Sequence, residues 1–268
     1  TMGKLDVAAA GAAVLAAAFG LWIGPSSSLA PVPEPTTPAP AVPSPGPTTS
    51  PAALPLEGES FVLDPGHNAG NAEAVAEVNA LVPDGRGGMK ACNTTGTSTN
   101  DGYPEHAFNW DVVDRARQHL EDLGATVRLT RGPDGVGPCV DARGQAGTDA
   151  TALVSIHANG SESPVAAGFF TIIVATPLND AQGAPSEELA AAIRASLEEE
   201  GFSPSNMVPG ALQRRDDLGT LNFAEVPAVL LELAEFRNPA EAAAVQDPAV
   251  RERYAVAIAD ALVALYGD

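Results

Sequence analysis

Basic residues are scarce in this chain of 268 residues. Fourteen lysines and arginines stand against 34 aspartates and glutamates, which gives a formal net charge of −20 at pH 7. Phosphate binding needs a basic surface, so this balance argues against a nucleic-acid partner. It also argues against attraction to anionic lipid. Aromatic residues are few as well, with three tyrosines and two tryptophans, so a core has to be built from Ala, Val, Leu and Ile.

The one long apolar run lies near the N-terminus. It extends from Val7 to Ile23 behind Lys4, which is long for the core of a signal peptide and short for a spanning helix. Ser28-Leu29-Ala30 fits the small-x-small cleavage pattern. We expect residues 1–30 to be either a signal peptide or a membrane anchor, because both place the rest of the chain outside the cytoplasm.

A proline-rich segment follows, from Pro31 to Pro55. Its Pro, Ala, Thr and Ser residues cannot bury enough apolar surface to fold. We therefore predict a disordered linker over residues 31–56 and a single globular domain over residues 57–268. The exported domain would lie in the periplasm or cell wall, or be secreted.

The chain contains only two cysteines, Cys92 and Cys139. An even number of cysteines in an oxidising compartment predicts a disulfide bond. The alternative is a pair of thiolate zinc ligands, but the two residues lack the C-x-x-C spacing of such sites.

Strand-like and helix-like segments alternate through the globular part, which predicts an α/β fold. The central sheet is expected to be mostly parallel or mixed, with helices on both faces. Residues 68–104 lack a sustained period and are predicted to form a long loop, with a short helix within residues 72–82. The predicted strands are Phe61–Leu63, Thr126–Thr130, Ala152–Ile156, Phe169–Ala175 and Val229–Leu231. The predicted helices are Glu105–Leu123, Cys139–Gly147, Ser186–Glu200 and Pro248–Tyr266.

Three of the predicted strands end in a side chain suited to metal binding or proton transfer. These side chains are His67, His157 and Glu232. Open α/β sheets place their sites at the carboxyl ends of strands, so we expect the three residues to meet. A single histidine or glutamate at a strand end is more often structural. The occurrence of three such residues at the carboxyl ends of three strands favours a functional site.

Two histidines suggest zinc, because imidazole nitrogen is a good zinc ligand. Catalytic zinc sites use three protein ligands and one open position, so a third ligand is needed. Glu105, at the start of a predicted helix, is the candidate for the third ligand, with Glu73 or Glu77 as alternatives. Glu232 would then be the general base. The two other histidines, His106 and His119, fit the pattern less well and are interpreted as structural or surface residues.

These motifs resemble a known family, the zinc-dependent N-acetylmuramoyl-L-alanine amidases of type 3. The resemblance rests on Asp64-Pro65-Gly66-His67, Glu105 opening a helix, Ser155-Ile156-His157-Ala158-Asn159 and an apolar run into Glu232-Leu233. It covers residues 61–266 and is closest to the stand-alone peptidoglycan amidases of actinobacteria, including mycobacteria. One departure is Ala234, where the family usually has glycine.

The resemblance implies zinc on His67, Glu105 and His157, with Glu232 catalytic. It implies a peptidoglycan hydrolase that cleaves the amide between N-acetylmuramic acid and L-alanine of the stem peptide. Peptidoglycan is then the expected partner, and we expect the protein to be a monomer. Candidate substrate contacts are Arg214, Arg215 and Asn159, although the two arginines could instead pair with the aspartates that follow them.

Two other functions are compatible with the same residues. The first is another exported zinc hydrolase, either a peptidase or a sugar deacetylase, which would use the same metal chemistry with a different pocket. The second is a non-enzymatic cell-wall-binding or regulatory module, although the intact set of candidate ligands and base argues against it. No wall-binding repeat is evident in the sequence.

Overall fold

The computed structural model of the chain describes residues 53–163 and 165–267. The predicted signal or anchor, and the linker up to residue 52, lie outside the described residues. The strands are β1 Ser60–Pro65, β2 Leu81–Pro83, β3 Met89–Ala91, β4 Thr126–Leu129, β5 Ala152–Asn159, β6 Phe170–Val174, β7 Leu212–Arg215 and β8 Ala228–Glu235. The helices are α1 Val75–Val78, α2 Glu105–Asp122, α3 Val140–Gln145, α4 Ala184–Glu199, α5 Gly219–Asn222, α6 Pro239–Val245 and α7 Pro248–Tyr266.

Six of the strands form one mixed sheet in the order β4-β1-β5-β8-β6-β7. Strands β4, β1, β5 and β8 are mutually parallel, whereas β6 pairs antiparallel with β8 and parallel with β7. The carboxyl ends of β1, β5 and β8 therefore share one edge of the sheet. Because these strands are covered on both faces, their apolar runs are almost continuous rather than alternating.

Helices cover both faces of this sheet, as predicted. Helices α2, α4 and α7 pack together on one face, and α3 and α5 pack together on the other. The stripe that α2 buries is Phe108, Val112, Val113, Ala116 and Leu120. This helix ends before Gly124, which has φ +98°, a conformation that glycine adopts without steric cost.

Three local features differ from the expectations. The short helix predicted within residues 72–82 is only the single turn α1, and the segment continues into a hairpin of β2 and β3. Arg214 and Arg215 lie on the edge strand β7, which is not among the predicted strands. The side chain of Leu56 is buried in the core, and its main-chain N–H donates to the Leu123 carbonyl at 2.9 Å.

The predicted disulfide between Cys92 and Cys139 is present. It joins the residue after β3 to the residue that precedes α3. The long segment after β1 is therefore fixed to the rest of the domain at its hairpin.

No helix between residues 53 and 163, or between 165 and 267, combines the length and the apolar character that a membrane crossing requires.

Candidate metal centre and active site

Three of the predicted site residues converge at the carboxyl edge of the sheet. His67 follows β1, His157 lies near the end of β5, and Glu105 is the first residue of α2. One ligand atom from each lies within 4.8 Å of the others, and within the described residues these three form the only such group. Of the three glutamates considered for the third ligand, it is Glu105 that joins the histidines.

The ligand atoms face one another at short distances. Glu105 Oε1 lies 3.1 Å from His67 Nε2 and 3.0 Å from His157 Nδ1. The two nitrogens are 3.2 Å apart. Two imidazole nitrogens and one carboxylate oxygen are therefore directed at a common point. The alternative ligands, Glu73 and Glu77, are exposed and lie outside this group.

The other histidines have separate partners. His119 Nε2 lies 2.7 Å from a carboxylate oxygen of Glu252 on α7. The main-chain carbonyl of His106 accepts a hydrogen bond from Arg131 at 2.9 Å. Neither residue belongs to the metal-type group.

Main-chain groups fix the orientation of the candidate ligands. His67 Nδ1 lies 2.8 Å from the Thr94 carbonyl, which leaves Nε2 directed at the centre. Glu105 Oε2 accepts from the Thr97 N–H at 2.8 Å, and Oε1 accepts from the Ala158 N–H at 3.2 Å. Such outer contacts orient metal ligands and set the histidine tautomer.

The turn that carries His67 has an unusual backbone. His67 has φ +60°, a left-handed conformation that is uncommon outside glycine. The main chain of the preceding Gly66 contacts the ring of His157. A Cβ atom at position 66 would lie only 2.1 Å from His157 Cε1. A glycine is required here because any side chain would occupy the position of a candidate ligand.

Two buried arginines hold this turn by its carbonyl groups. Arg131 donates to the carbonyls of Pro65 at 2.8 Å and Gly66 at 3.1 Å. Arg143, with a side chain only 2% exposed, donates to acceptors on both sides of the turn. These acceptors are Pro138 O at 2.9 Å, Asp64 Oδ1 at 2.8 Å, Pro65 O at 2.9 Å, His67 O at 3.0 Å and Asn68 Oδ1 at 2.5 Å.

Asp64 is the counter-charge for Arg143. Its carboxylate also accepts hydrogen bonds from the hydroxyls of Thr130 and of Ser155, the latter at 2.6 Å. Burial alone would raise the pKa of Asp64, but Arg143 and the two hydroxyls outweigh burial and lower it. The Asp-Pro-Gly-His motif thus supplies a candidate ligand, His67, and also Asp64, the anion that neutralises Arg143.

Glu232 is placed beside the candidate ligands by strand register. It pairs with His157 across β5 and β8 and lines the same cavity as both histidines. Its Oε2 atom is buried and has no hydrogen-bond partner among the described residues. Burial, and then the negative charges of Glu105 and Glu235, raise the pKa of Glu232 well above its usual value.

The pKa values of the three candidate ligands are shifted in different directions. Burial alone would raise the pKa of Glu105, but hydrogen bonds with His157 and His67 outweigh it and lower the pKa. Burial lowers the pKa of His157. For His67 the effect of burial is outweighed by Glu105, and the pKa is raised. The carboxylate is thus ionised, as a metal ligand must be.

This donor set fits zinc. Two histidine nitrogens and one carboxylate are a known set of three protein ligands in catalytic zinc sites, where a fourth position stays open. Glu232 lines the cavity beside this donor set, so its carboxyl group is suited to contact a water or substrate group at that position.

The cleft above these residues has a volume of about 200 Å³. Its walls include Lys90 from β3 and Arg215 from β7. Arg215 also donates to the Asp217 carboxylate at 2.8 and 2.6 Å. Arg214, by contrast, donates to Glu187 on α4 at 2.8 Å and does not line the cleft.

The third candidate substrate contact, Asn159, has a local partner. Its amide nitrogen donates to Glu235 Oε1 at 2.7 Å. Lys90 is a cleft residue that the sequence did not reveal, because a lysine on a three-residue strand carries no local signature. The nearby Arg-Gly-Gly turn signal could have located the hairpin.

Comparisons with known proteins agree with this geometry. A family model described as N-acetylmuramoyl-L-alanine amidase matches residues 61–264. N-acetylmuramoyl-L-alanine amidase Rv3717 of Mycobacterium tuberculosis is 40% identical over 207 residues, which span 76% of this chain and 84% of that protein. The probable cell wall amidase LytH of Staphylococcus aureus is 28% identical over 210 residues, which span 78% of this chain and 58% of that protein.

A solved structure is similar over nearly its whole length. The amidase Ami1 from Mycobacterium smegmatis aligns with a TM-score of 0.76 at 39% identity, covering 79% of this chain and 98% of that one. The sequence, the fold and the convergence of the two histidines with Glu105 all support the same family. The chain therefore belongs to the N-acetylmuramoyl-L-alanine amidase family.

Proposed function

We propose that this protein hydrolyses the amide bond between the lactyl group of N-acetylmuramic acid and L-alanine of the peptidoglycan stem peptide. His67, Glu105 and His157 would hold a zinc ion, and Glu232 would act as general base and acid. The observation that carries the proposal is the convergence of three ligand atoms within 4.8 Å, beside a cavity that both histidines and Glu232 line.

Glu232 has the properties that a proton carrier needs in this reaction. Its raised pKa lets the carboxylate take a proton from water and then release that proton to the departing alanine nitrogen. The chemistry that zinc supplies when bound is Lewis acidity, which polarises a carbonyl group and makes water easier to deprotonate.

Arg215 is the stronger of the two candidate arginine contacts. Its side chain lines the cleft, while that of Arg214 is engaged by Glu187 at the surface. Asn159 is held by Glu235 through its amide nitrogen, so a substrate contact would use its amide oxygen.

The proposed function places the protein at the cell wall, where the substrate is. Residues 1–30 would act as signal peptide or membrane anchor, and residues 31–56 as a flexible tether. The chain is proposed to act as a monomer, which sedimentation would test.

The experiment that tests the proposal is digestion of purified peptidoglycan by the full chain, with and without a chelator. New alanine amino termini that appear only without chelator are the expected result. New amino termini elsewhere in the peptide would indicate a peptidase, and new amino sugars would indicate a deacetylase. Binding to peptidoglycan with no new amine would indicate a non-enzymatic module.

Metal analysis of the same preparation provides an independent readout. Close to one zinc per chain is expected, because the described residues offer one group of metal-type side chains. Substoichiometric zinc in a preparation with full activity would contradict the proposed ligand set.

A further inference from the structure

Lys90 brings a positive charge into the cleft of an otherwise acidic protein. The chain has only 14 lysines and arginines, yet Lys90, Arg143 and Arg215 all line this one cavity. Arg143 is committed to the buried Asp64 and to the turn before His67. The cations that remain to face a ligand are therefore Lys90 and Arg215.

The acidic groups around Lys90 already have partners. The Asp217 carboxylate is bound in bidentate fashion by Arg215. The Asp84 carboxylate accepts the main-chain N–H groups of Arg86 and Gly88, at 2.7 and 2.9 Å. None of these carboxylates uses Lys90 as a hydrogen-bond donor in the part of the chain that the structure describes.

The Asp216 carboxylate is likewise occupied, in this case by Arg86 at 2.8 Å and by the N–H and hydroxyl of Thr176 at 2.9 and 2.8 Å. The Arg86 contact also fixes the hairpin of β2 and β3 to the segment after β7. Lys90 is therefore presented to the cleft by an anchored hairpin.

The Lys90 ammonium group has N–H donors that are free to bind a ligand. It donates to the main-chain carbonyl of Asp217, whereas an ammonium group has three N–H donors. Partial burial lowers the pKa of Lys90, which means that its charge lacks full solvation. A bound anion would restore the lost solvation with a charge-assisted hydrogen bond.

The chemistry of the proposed substrate decides which anion this is. The one carboxyl group of N-acetylmuramic acid is the acyl half of the scissile amide, so the sugar side offers no carboxylate. Carboxylates occur only on the peptide. The cleft, at about 200 Å³, is smaller than typical ligand pockets of about 300–1,000 Å³, so it holds only the residues next to the scissile bond.

We infer that Lys90 binds a free carboxylate of the second residue on the peptide side of the scissile amide, because the carboxyl group of the first residue, L-alanine, is part of the next peptide bond. Lys90 would then set a preference for stem peptides with free carboxyl groups over stem peptides whose carboxyl groups are amidated. This inference rests on the proposed function, and it adds a specificity residue that the reaction itself does not require.

The test compares two synthetic substrates, N-acetylmuramoyl-L-alanyl-D-glutamate and the same compound with both carboxyl groups converted to carboxamides. For the full chain loaded with zinc, KM should be about tenfold lower for the free acid, the effect of one charge-assisted hydrogen bond. Lys90→Gln should raise KM for the free acid about tenfold. KM for the dicarboxamide, and kcat for both substrates, should change by less than about twofold, because the neutral substrate makes no use of the charge.

Two further variants serve as controls. Lys90→Arg should keep the preference, since it keeps the charge. Arg117→Gln removes the same charge from the exposed face of α2, where Arg117 pairs with Asp114 and Glu121, and should leave the KM ratio unchanged.

Equal KM increases for both substrates in Lys90→Gln would overturn the inference, because they would indicate a structural role for the hairpin. A preference that persists in Lys90→Gln would overturn it as well. A wild-type protein that cleaves neither synthetic compound nor peptidoglycan, while retaining its zinc and its fold, would instead refute the proposed function and remove the basis of the inference.

Discussion

Replacement of Arg143 by methionine tests whether the turn that carries His67 is held by a buried ion pair. Methionine is unbranched and fills the space of the apolar part of the arginine side chain, so that packing is kept while the charge and all five hydrogen bonds are lost. Asp64, itself 2% exposed, would be left as a buried carboxylate without its counter-charge. Removing one partner of such a pair costs about 3–5 kcal/mol, a large part of the roughly 5–15 kcal/mol that stabilises a typical domain.

Thr130→Val is the matched control for this substitution. Thr130 donates a hydrogen bond to the same carboxylate but makes no hydrogen bond to the turn before His67. Loss of one hydrogen bond to a charged group costs about 1.5–3 kcal/mol. Urea unfolding of the metal-free proteins should therefore rank Arg143→Met as the less stable variant.

Measuring zinc affinity shows whether Arg143 positions the candidate ligand His67 or only stabilises the fold. Arg143 donates to the His67 carbonyl at 3.0 Å, so Arg143→Met should weaken zinc binding about 10–100-fold, as loss of an outer contact to a metal ligand commonly does. Thr130→Val should change the affinity by less than about twofold. Competition with a chelating dye measures both. Equal zinc affinities in the two variants, or a stability loss under about 1 kcal/mol in Arg143→Met, would refute the reasoning.

The same pair predicts how stability depends on pH. Because the pKa of Asp64 is lowered in the folded protein, its ionised form stabilises the fold above the unfolded pKa, near 3.8. This contribution is lost as the pH falls through the folded pKa. Wild-type protein should therefore lose stability below about pH 4, and Arg143→Met should lose less over the same range.

Three further predictions concern the ligands, the disulfide and the linker. Glu232→Gln should retain zinc while turnover falls at least about a hundredfold, whereas His67→Ala should lose both; the reverse pattern of metal content would mean that the roles are misassigned. Free-thiol titration of the unfolded exported protein should find no thiols at Cys92 and Cys139, and reduction should lower the melting temperature without releasing zinc; release of zinc on reduction would implicate the thiolates as ligands. A fragment beginning at Ala53 should fold and cleave peptidoglycan as well as the full chain does, and failure to fold would show that the preceding residues belong to the core.

The parts of the fold that sequence predicted are those with strong local patterns. Helix α2 was expected over residues 105–123 and spans Glu105–Asp122, because an apolar stripe, a preceding proline and a following glycine all mark it. The buried strands were found because each is a short apolar run between turn residues. Their common edge followed from the rule that α/β sheets place polar side chains at carboxyl ends, which brought His67, His157 and Glu232 together correctly.

The parts that sequence did not reveal depend on long-range contacts. Strands β2 and β3 are only three residues long and partly exposed, so they show no alternation of apolar and polar residues. The antiparallel direction of β6 depends on how it docks against β8, which no local pattern records. Arg143 could not be recognised as buried, because its counter-charge Asp64 is 79 residues away in the chain.

The contact between Gly66 and the ring of His157 limits how this site can change. A methyl group at position 66 would overlap the ring, at 2.1 Å from its Cε1 atom, so even alanine is excluded while the histidine is present. Residues 66 and 157 can therefore change only together. Mutational libraries that vary residue 66 alone should therefore recover only glycine among metal-binding clones. Other residues should become possible at position 66 only when a different side chain replaces His157.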